Sequence, residues 1–109
     1  MLPEASPPAP ALTKWAEIDA EAIRDNARTL KGLTRRGCLL MAMVKASGYG
    51  HGALTAARAA LAGGADWLGI SSIAEGLELR TAGFGAPILN VGWTPPSDFV
   101  SAAQAGIDI

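Results

Sequence analysis

The sequence predicts an α/β domain built on parallel strands, and three observations carry that prediction. Apolar, strand-like runs begin at residues 14, 38, 67, 87 and 107 and alternate with helix-forming stretches, the order of repeated β–α units. The run from Cys38 to Val44 has no polar residue, as in a parallel strand covered on both faces. Each connection is long enough for a helix, so consecutive strands lie parallel with right-handed crossovers. Two architectures fit: an open doubly wound sheet, or part of a (β/α)8 barrel. A whole barrel takes about 250 residues; this chain has 109 and stops inside "IDI", so the sequence predicts a truncated unit.

The elements follow in order. "MLPEASPPAPAL" holds four of the seven prolines, which lock φ and remove amide donors, so residues 1–12 are expected to be a disordered leader. "KWAEI" (14–18) is expected to be a short strand. Asp19 is placed to cap a helix with Ile23, Ala27 and Leu30 on one face, ending at Gly32 or Gly37. After the strand at 38–44, "ALTAARAALAGG" predicts a helix with Leu54, Ala57 and Leu61 on one side, stopped at Gly63. "WLGIS" (67–71) is strand-like. Ser72 with Glu75 three residues later is a capping box, opening a helix that carries Ile73 and Leu77 and stops at Gly83. "PILNVGW" (87–93) is another strand, Thr94 or Ser97 could cap a short helix after it, and "IDI" (107–109) begins a further strand. Trp15, Trp67 and Trp93 sit at strand edges and are expected to be core aromatics.

Half of the residues are apolar and 17% are charged, so a core is within reach and the chain is not a disordered polymer. A net charge of −1 gives no reason to expect nucleic acid or an anionic membrane as partner. No apolar run approaches the roughly 20 residues of a membrane helix, and the N-terminus lacks the pattern of a secretory signal. The single cysteine, Cys38, cannot form an internal disulfide. These features together point to the cytoplasm.

The chemistry concentrates in "LLMAMVKASGYGHGAL" (39–54), where one lysine ends an apolar strand and a glycine-rich, flexible-looking loop follows. A lysine there can simply run its stem along apolar surface and keep its amine in water. In parallel α/β proteins, however, the carboxyl ends of the strands form the ligand-binding edge. Partial desolvation at that edge favours a neutral amine, which can form a Schiff base with a carbonyl compound, including the aldehyde of pyridoxal phosphate. Gly48, Gly50, Gly52 and Ala53 also outline a dinucleotide-binding turn. That reading needs an acid at the end of the next strand, but "WLGIS" ends in Ser71, and Asp66 precedes it. His51 is the only histidine, so no metal-ligand spacing arises; it is expected to make local hydrogen bonds. Tyr49, between glycines, could cover the core or reach a ligand. Ser71 and Ser72 read as strand end and helix cap, and Arg35 and Arg36 as a solvated turn.

"MVKASGYGHG" (43–52) closely resembles the pyridoxal phosphate attachment segment of alanine racemases, in which a strand ends in V-K-A and Y-G-H-G follows. "WAEIDAEAIRDN" (15–26) is similar to that family's opening, and "SIAEGLELRTAGFGAPILNVG" (72–92) to its next block, with E-x-x-x-L-R, G and P-I-L in order. The departures are Ser47 and Gly48, where many members carry asparagine or aspartate and then alanine. The resemblance spans residues 13–109. It implies the N-terminal half of a (β/α)8 TIM barrel, truncated at the start of its fifth strand. The parent protein would be a homodimeric enzyme with a further C-terminal β domain. It would bind pyridoxal 5'-phosphate and interconvert L- and D-alanine for peptidoglycan. Lys45 would hold the cofactor and then serve as one of two bases, Tyr49 would hydrogen-bond its phosphate, and Met43 and Val91 would line its side. No metal is implied. The family's second base, a tyrosine, its pyridine-nitrogen arginine and most of its phosphate cradle lie outside this stretch. The segment alone is therefore expected to be inactive and, with two open sheet edges, prone to aggregate. The alternatives are a broad-specificity amino-acid racemase of the same fold and a non-catalytic half-barrel remnant.

Overall fold

A computed structural model describes residues 13–109; the leader expected over residues 1–12 lies outside the described residues. Helix α1 (Ala20–Leu33) begins where expected, with the Asp19 carboxylate accepting from the Ala22 amide at 3.0 Å. It runs through Gly32 and ends at Thr34, whose amide and hydroxyl both donate to the Lys31 carbonyl. The chain then turns at Gly37 (φ +82°) into β1 (Met41–Met43). A left-handed turn, α2 (Lys45–Tyr49), leads into α3 (Ala53–Ala62). Strand β2 (Trp67–Ile70), α4 (Ile73–Thr81), β3 (Ile88–Asn90), a 3-10 turn (Pro96–Asp98), α5 (Phe99–Gln104) and β4 (Ile107–Asp108) complete the order.

Four parallel strands form one sheet in the order β1-β2-β3-β4, with Met41 opposite Trp67, Leu68 opposite Ile88, and Ile88 opposite Ile107. The expected strand at 14–18 is absent: these residues are irregular, Trp15 and Ile18 are exposed, and the Trp15 indole donates to its neighbour Glu17. A short alternating run becomes a strand only where a sheet edge accepts it, and the sheet begins instead at the lysine strand. The lysine strand is also shorter than its apolar run, which starts as exposed approach at Cys38 and Leu39.

The strand period of two separates the faces. Val44, Leu68, Ile70, Ile88 and Ile107 point outward, where α3, α4 and α5 bury them against Ala56, Ala57, Ile73, Leu79 and Ala102. Leu68, Ile70, Leu79, Ile88 and Val44 are fully buried, each worth about 1.5–3 kcal/mol over an exposed side chain. The opposite face carries Met41, Met43, Trp67, Gly69, Leu89 and Asp108, and among the described residues no helix covers it. The run expected to be covered on both faces is thus covered on one. Of the three tryptophans expected in the core, Trp67 is half-buried on this inner face, while Trp15 is 66% and Trp93 81% exposed.

Polar side chains fasten the amino ends of the strands. Lys31 Nζ donates to Asp66 Oδ2 at 2.6 Å and to the Cys38 carbonyl at 2.7 Å, and Asp66 Oδ2 also accepts from the Leu40 amide. The Lys31 hydrogen bond, with that of Leu40, holds the Asp66 carboxyl below its ordinary value against a smaller opposing effect of burial. Arg80 reaches four carbonyls, those of Phe84 and Ala86 before β3 and of Ala105 and Gly106 before β4. Helix α1 crosses α3 closely: a Cβ on Gly63 would lie 2.3 Å from the Arg24 carbonyl oxygen.

Candidate active site

The carboxyl ends of β1, β2 and β3 converge on one edge, and Lys45 stands there, two residues beyond Met43 in the inner-facing register. Lys45 is half-buried. Among the described residues its amine has no hydrogen-bond or ion-pair partner, unlike Lys31, which is held between Asp66 and the Cys38 carbonyl.

The loop after it is not the loose segment that its glycines suggest. Ala46, Ser47, Gly48 and Tyr49 have φ of 51°, 55°, 64° and 57°, a complete left-handed turn. Ala46, Ser47 and Tyr49 are not glycine, and left-handed helix costs such residues roughly 1–2 kcal/mol each. Backbone bonds offset the strain: Gly48 N donates to the Val44 carbonyl at 2.8 Å, and Gly52 N to the Ser47 carbonyl at 2.7 Å. Gly48 is buried, and a Cβ there would lie 3.0 Å from Ala56 Cβ, so the turn rests directly on α3. Strain of this order, held by its surroundings, marks functional sites.

Glu75 supplies the remaining support. Its Oε2 accepts from the Ala46 amide at 2.7 Å, while Oε1 accepts from the Ser71 amide at 3.1 Å, the Ser71 hydroxyl at 2.8 Å and the Ser72 hydroxyl at 3.0 Å. Burial pushes the Glu75 carboxyl up, but these hydrogen bonds together outweigh it and hold the group below its ordinary value. The capping box is therefore half as expected. Ser72 Oγ accepts from the Glu75 amide, while the Glu75 carboxylate takes the Ser72 hydroxyl in place of the Ser72 amide and spans from its own helix end to the lysine turn.

Tyr49 is 60% exposed and does not cover the core; its hydroxyl has no partner among the described residues. Met43 is half-buried, the last residue of β1. Val91, one residue beyond β3 and 51% exposed, donates its amide to the Ile70 carbonyl at 2.8 Å. Gly92 passes so close to β2 that a Cβ would lie 2.2 Å from the Ser71 carbonyl oxygen. Thr94 does not cap the next helix: it is buried and accepts from the Asn90 side-chain amide at 2.8 Å, while Asn90 Oδ1 accepts from the Gly92 amide. Ser97 lies within the 3-10 turn and caps nothing. His51 is exposed, with its amide bonded to the Gly48 carbonyl. Among the described residues no group of three His, Cys, Asp or Glu could hold a metal, and no helix is long and apolar enough to cross a membrane. Lys45, Tyr49, Met43 and Val91 thus share one end of the sheet. Reasoning from sequence missed the reach of Glu75 to Ala46 and the Asn90–Thr94 bond; the Ser72–Glu75 spacing was the one visible trace of the first.

A family model described as "Alanine racemase, N-terminal domain" matches residues 18–109. An alanine racemase of Symbiobacterium thermophilum is 46% identical over 95 residues, covering 87% of this chain and 25% of the relative. One of Desulfosudis oleivorans is 56% identical over 81 residues, covering 74% of this chain and 21% of the relative. The crystal structure of the alanine racemase of Bacillus anthracis with bound L-Ala-P superposes with a TM-score of 0.85 at 37% identity, over 91% of this chain and 26% of that one. The chain spans about a quarter of the length of the curated relatives it matches, and its four parallel strands form half of a (β/α)8 barrel. A lysine just beyond the first sheet strand, the turn it opens and this breadth of likeness make the chain a member of the alanine racemase family, within its N-terminal domain.

Proposed function

We propose that the full-length protein containing this chain is a pyridoxal 5'-phosphate-dependent alanine racemase, an isomerase that interconverts L- and D-alanine for peptidoglycan. It acts as a cytoplasmic homodimer, and residues 13–109 contribute part of its cofactor-binding barrel. The observation that carries this reading is Lys45, an amine without a partner among the described residues, at the carboxyl edge of a parallel sheet and fixed on a strained turn. The relatives named alanine racemase support it.

The residues present fit the cofactor. A primary amine that no carboxylate claims is what an aldehyde requires, and the exposed Tyr49 hydroxyl, four residues on, is free to donate to a phosphate. The inner face beside Lys45 is apolar through Met43, whose thioether lies over Gly69 in the space a side chain there would take. When bound, pyridoxal phosphate supplies an electron sink for negative charge at the substrate α-carbon. Lys45 anchors it through its amine and, once free, gives or takes a proton at the α-carbon from one face. Tyr49 fixes the phosphate end, and Met43 and Val91 exclude water along the ring. A second base for the other face is not among residues 1–109 on this reading, so the segment alone does not racemise alanine.

Incubation of the full-length protein with pyridoxal phosphate, borohydride reduction and peptide mapping tests the assignment. Label is expected on Lys45. Label on Lys14 or Lys31 with none on Lys45 would overturn it.

A further inference from the structure

We infer that Glu75 is a positioning residue for Lys45: its carboxylate braces the left-handed turn against the amino end of α4 and so sets the direction in which the lysine side chain leaves the backbone. This rests on the reading of Lys45 as the cofactor lysine. The peptide that Glu75 grips is the one joining Lys45 to Ala46, through the Ala46 amide at 2.7 Å. Because a peptide unit is planar, fixing that N–H fixes ψ of Lys45. The other oxygen is anchored on a rigid base, accepting from the Ser71 amide and hydroxyl and the Ser72 hydroxyl where β2 passes into α4. Helix α4 is itself set in the core by Ile73 and Leu79.

The brace acts where the backbone most needs one. Ala46 and Ser47 have φ of 51° and 55°, a conformation that relaxes toward the right-handed region if nothing opposes it. The Ala46 and Ser71 amides can only donate, so a carboxamide replaces the carboxylate incompletely: with its oxygen on Ala46, its –NH2 can donate to the Ser71 and Ser72 hydroxyls but is opposed by the Ser71 amide. The backbone bond of Gly48 to Val44 holds the far side of the turn and leaves the Lys45–Ala46 peptide to Glu75.

The test compares Glu75→Ala, Glu75→Gln and Ser71→Ala in the full-length protein, by amide hydrogen exchange without cofactor and by titration of the cofactor's visible absorption. In Glu75→Ala exchange at Ala46 is expected to accelerate at least tenfold and cofactor affinity to fall about tenfold or more, and in Glu75→Gln both are expected to change by a smaller, several-fold amount, with Leu68–Ile70 and α1 unchanged in each. Ser71→Ala leaves the Ala46 bond in place, and its Ala46 exchange should stay near the wild-type rate. Unchanged Ala46 protection in both Glu75 variants overturns the inference. Equal loss of protection in β2 and α1 overturns it too, because Glu75 would then serve the fold at large. Glu75→Gln is nearly isosteric and carries the test if the alanine variant does not fold. If wild-type Lys45 takes no cofactor, the racemase reading fails, while the exchange data still decide what Glu75 does to the turn.

Discussion

Single residues at the strand ends set how much change the site tolerates. Replacing Lys45 with alanine in the full-length protein removes the amine at this edge, and the visible absorption of bound cofactor should disappear; normal absorption and turnover would refute the assignment. Gly92 tests geometry instead of chemistry. Its added Cβ would meet backbone, 2.2 Å from the Ser71 carbonyl oxygen, and main chain on both sides cannot swing away. Gly92→Ala should therefore cost about 1–3 kcal/mol, read as a lowered midpoint in denaturant. At Gly69 the obstruction is Met43 Sδ and Met41 Sδ, thioethers able to change rotamer. Gly69→Ala should lose less stability but weaken cofactor binding by displacing Met43, and a Gly69 variant less stable than the Gly92 variant would contradict this ranking. The lysine was legible in sequence because an isolated charge at the end of an apolar strand is conspicuous. Glu75 was legible only as a helix cap, since its bond to Ala46 joins residues 29 positions apart and nothing local announces it.

Among the elements, α2 departs furthest from expectation. Gly48, Gly50 and Gly52 suggested a flexible loop, yet the left-handed conformation falls on Ala46, Ser47 and Tyr49 as well. Composition shows where such a conformation is cheap, not where tertiary contacts impose it. Ala46→Gly should accordingly stabilise the protein by about 1 kcal/mol, the relief of left-handed strain exceeding the added entropy of the unfolded chain. Destabilisation in thermal melts would show that Ala46 is not strained. Helices α1, α3 and α4 were legible from caps and apolar spacing, as were β2 and β3. The run at 14–18 was misread because alternation reports a surface fit for a sheet without showing that an edge awaits it. The tryptophans misled similarly: size favours burial, but Trp15 and Trp93 lie in irregular segments that no described helix overlies.

At the scale of the molecule, among the described residues one face of the sheet is packed and the other open, and both β1 and β4 pair on one side only. We expect the isolated segment 1–109 to self-associate in light scattering and to show no racemisation of alanine; a monodisperse monomer would contradict the first expectation. Acid should loosen the fold in a defined window. The Asp66 and Glu75 carboxyls lie below their ordinary values of 3.8 and 4.5, so between those values and the folded ones the unfolded chain binds more protons. Their contribution is complete above about pH 4.5 and is lost as pH falls through the folded values. Thermal midpoints measured from pH 6 to pH 3 should drop, and Lys31→Met should lower the midpoint at pH 6 while shrinking the further drop in acid, because Asp66 loses its main partner. The guanidinium of Arg80 carries a different lesson, about what it asks of its partners. Phe84, Ala86, Ala105 and Gly106 meet it through main-chain oxygens alone, so Arg80 places no demand on their side chains, which are set instead by core packing at Phe84, Ala86 and Ala105 and by the positive φ of Gly106. Arg80 itself has no stand-in: a lysine offers one nitrogen where two separate connections present four acceptors. The spacing between neighbouring β–α units is thus written in a single codon, not in the loops that cross it.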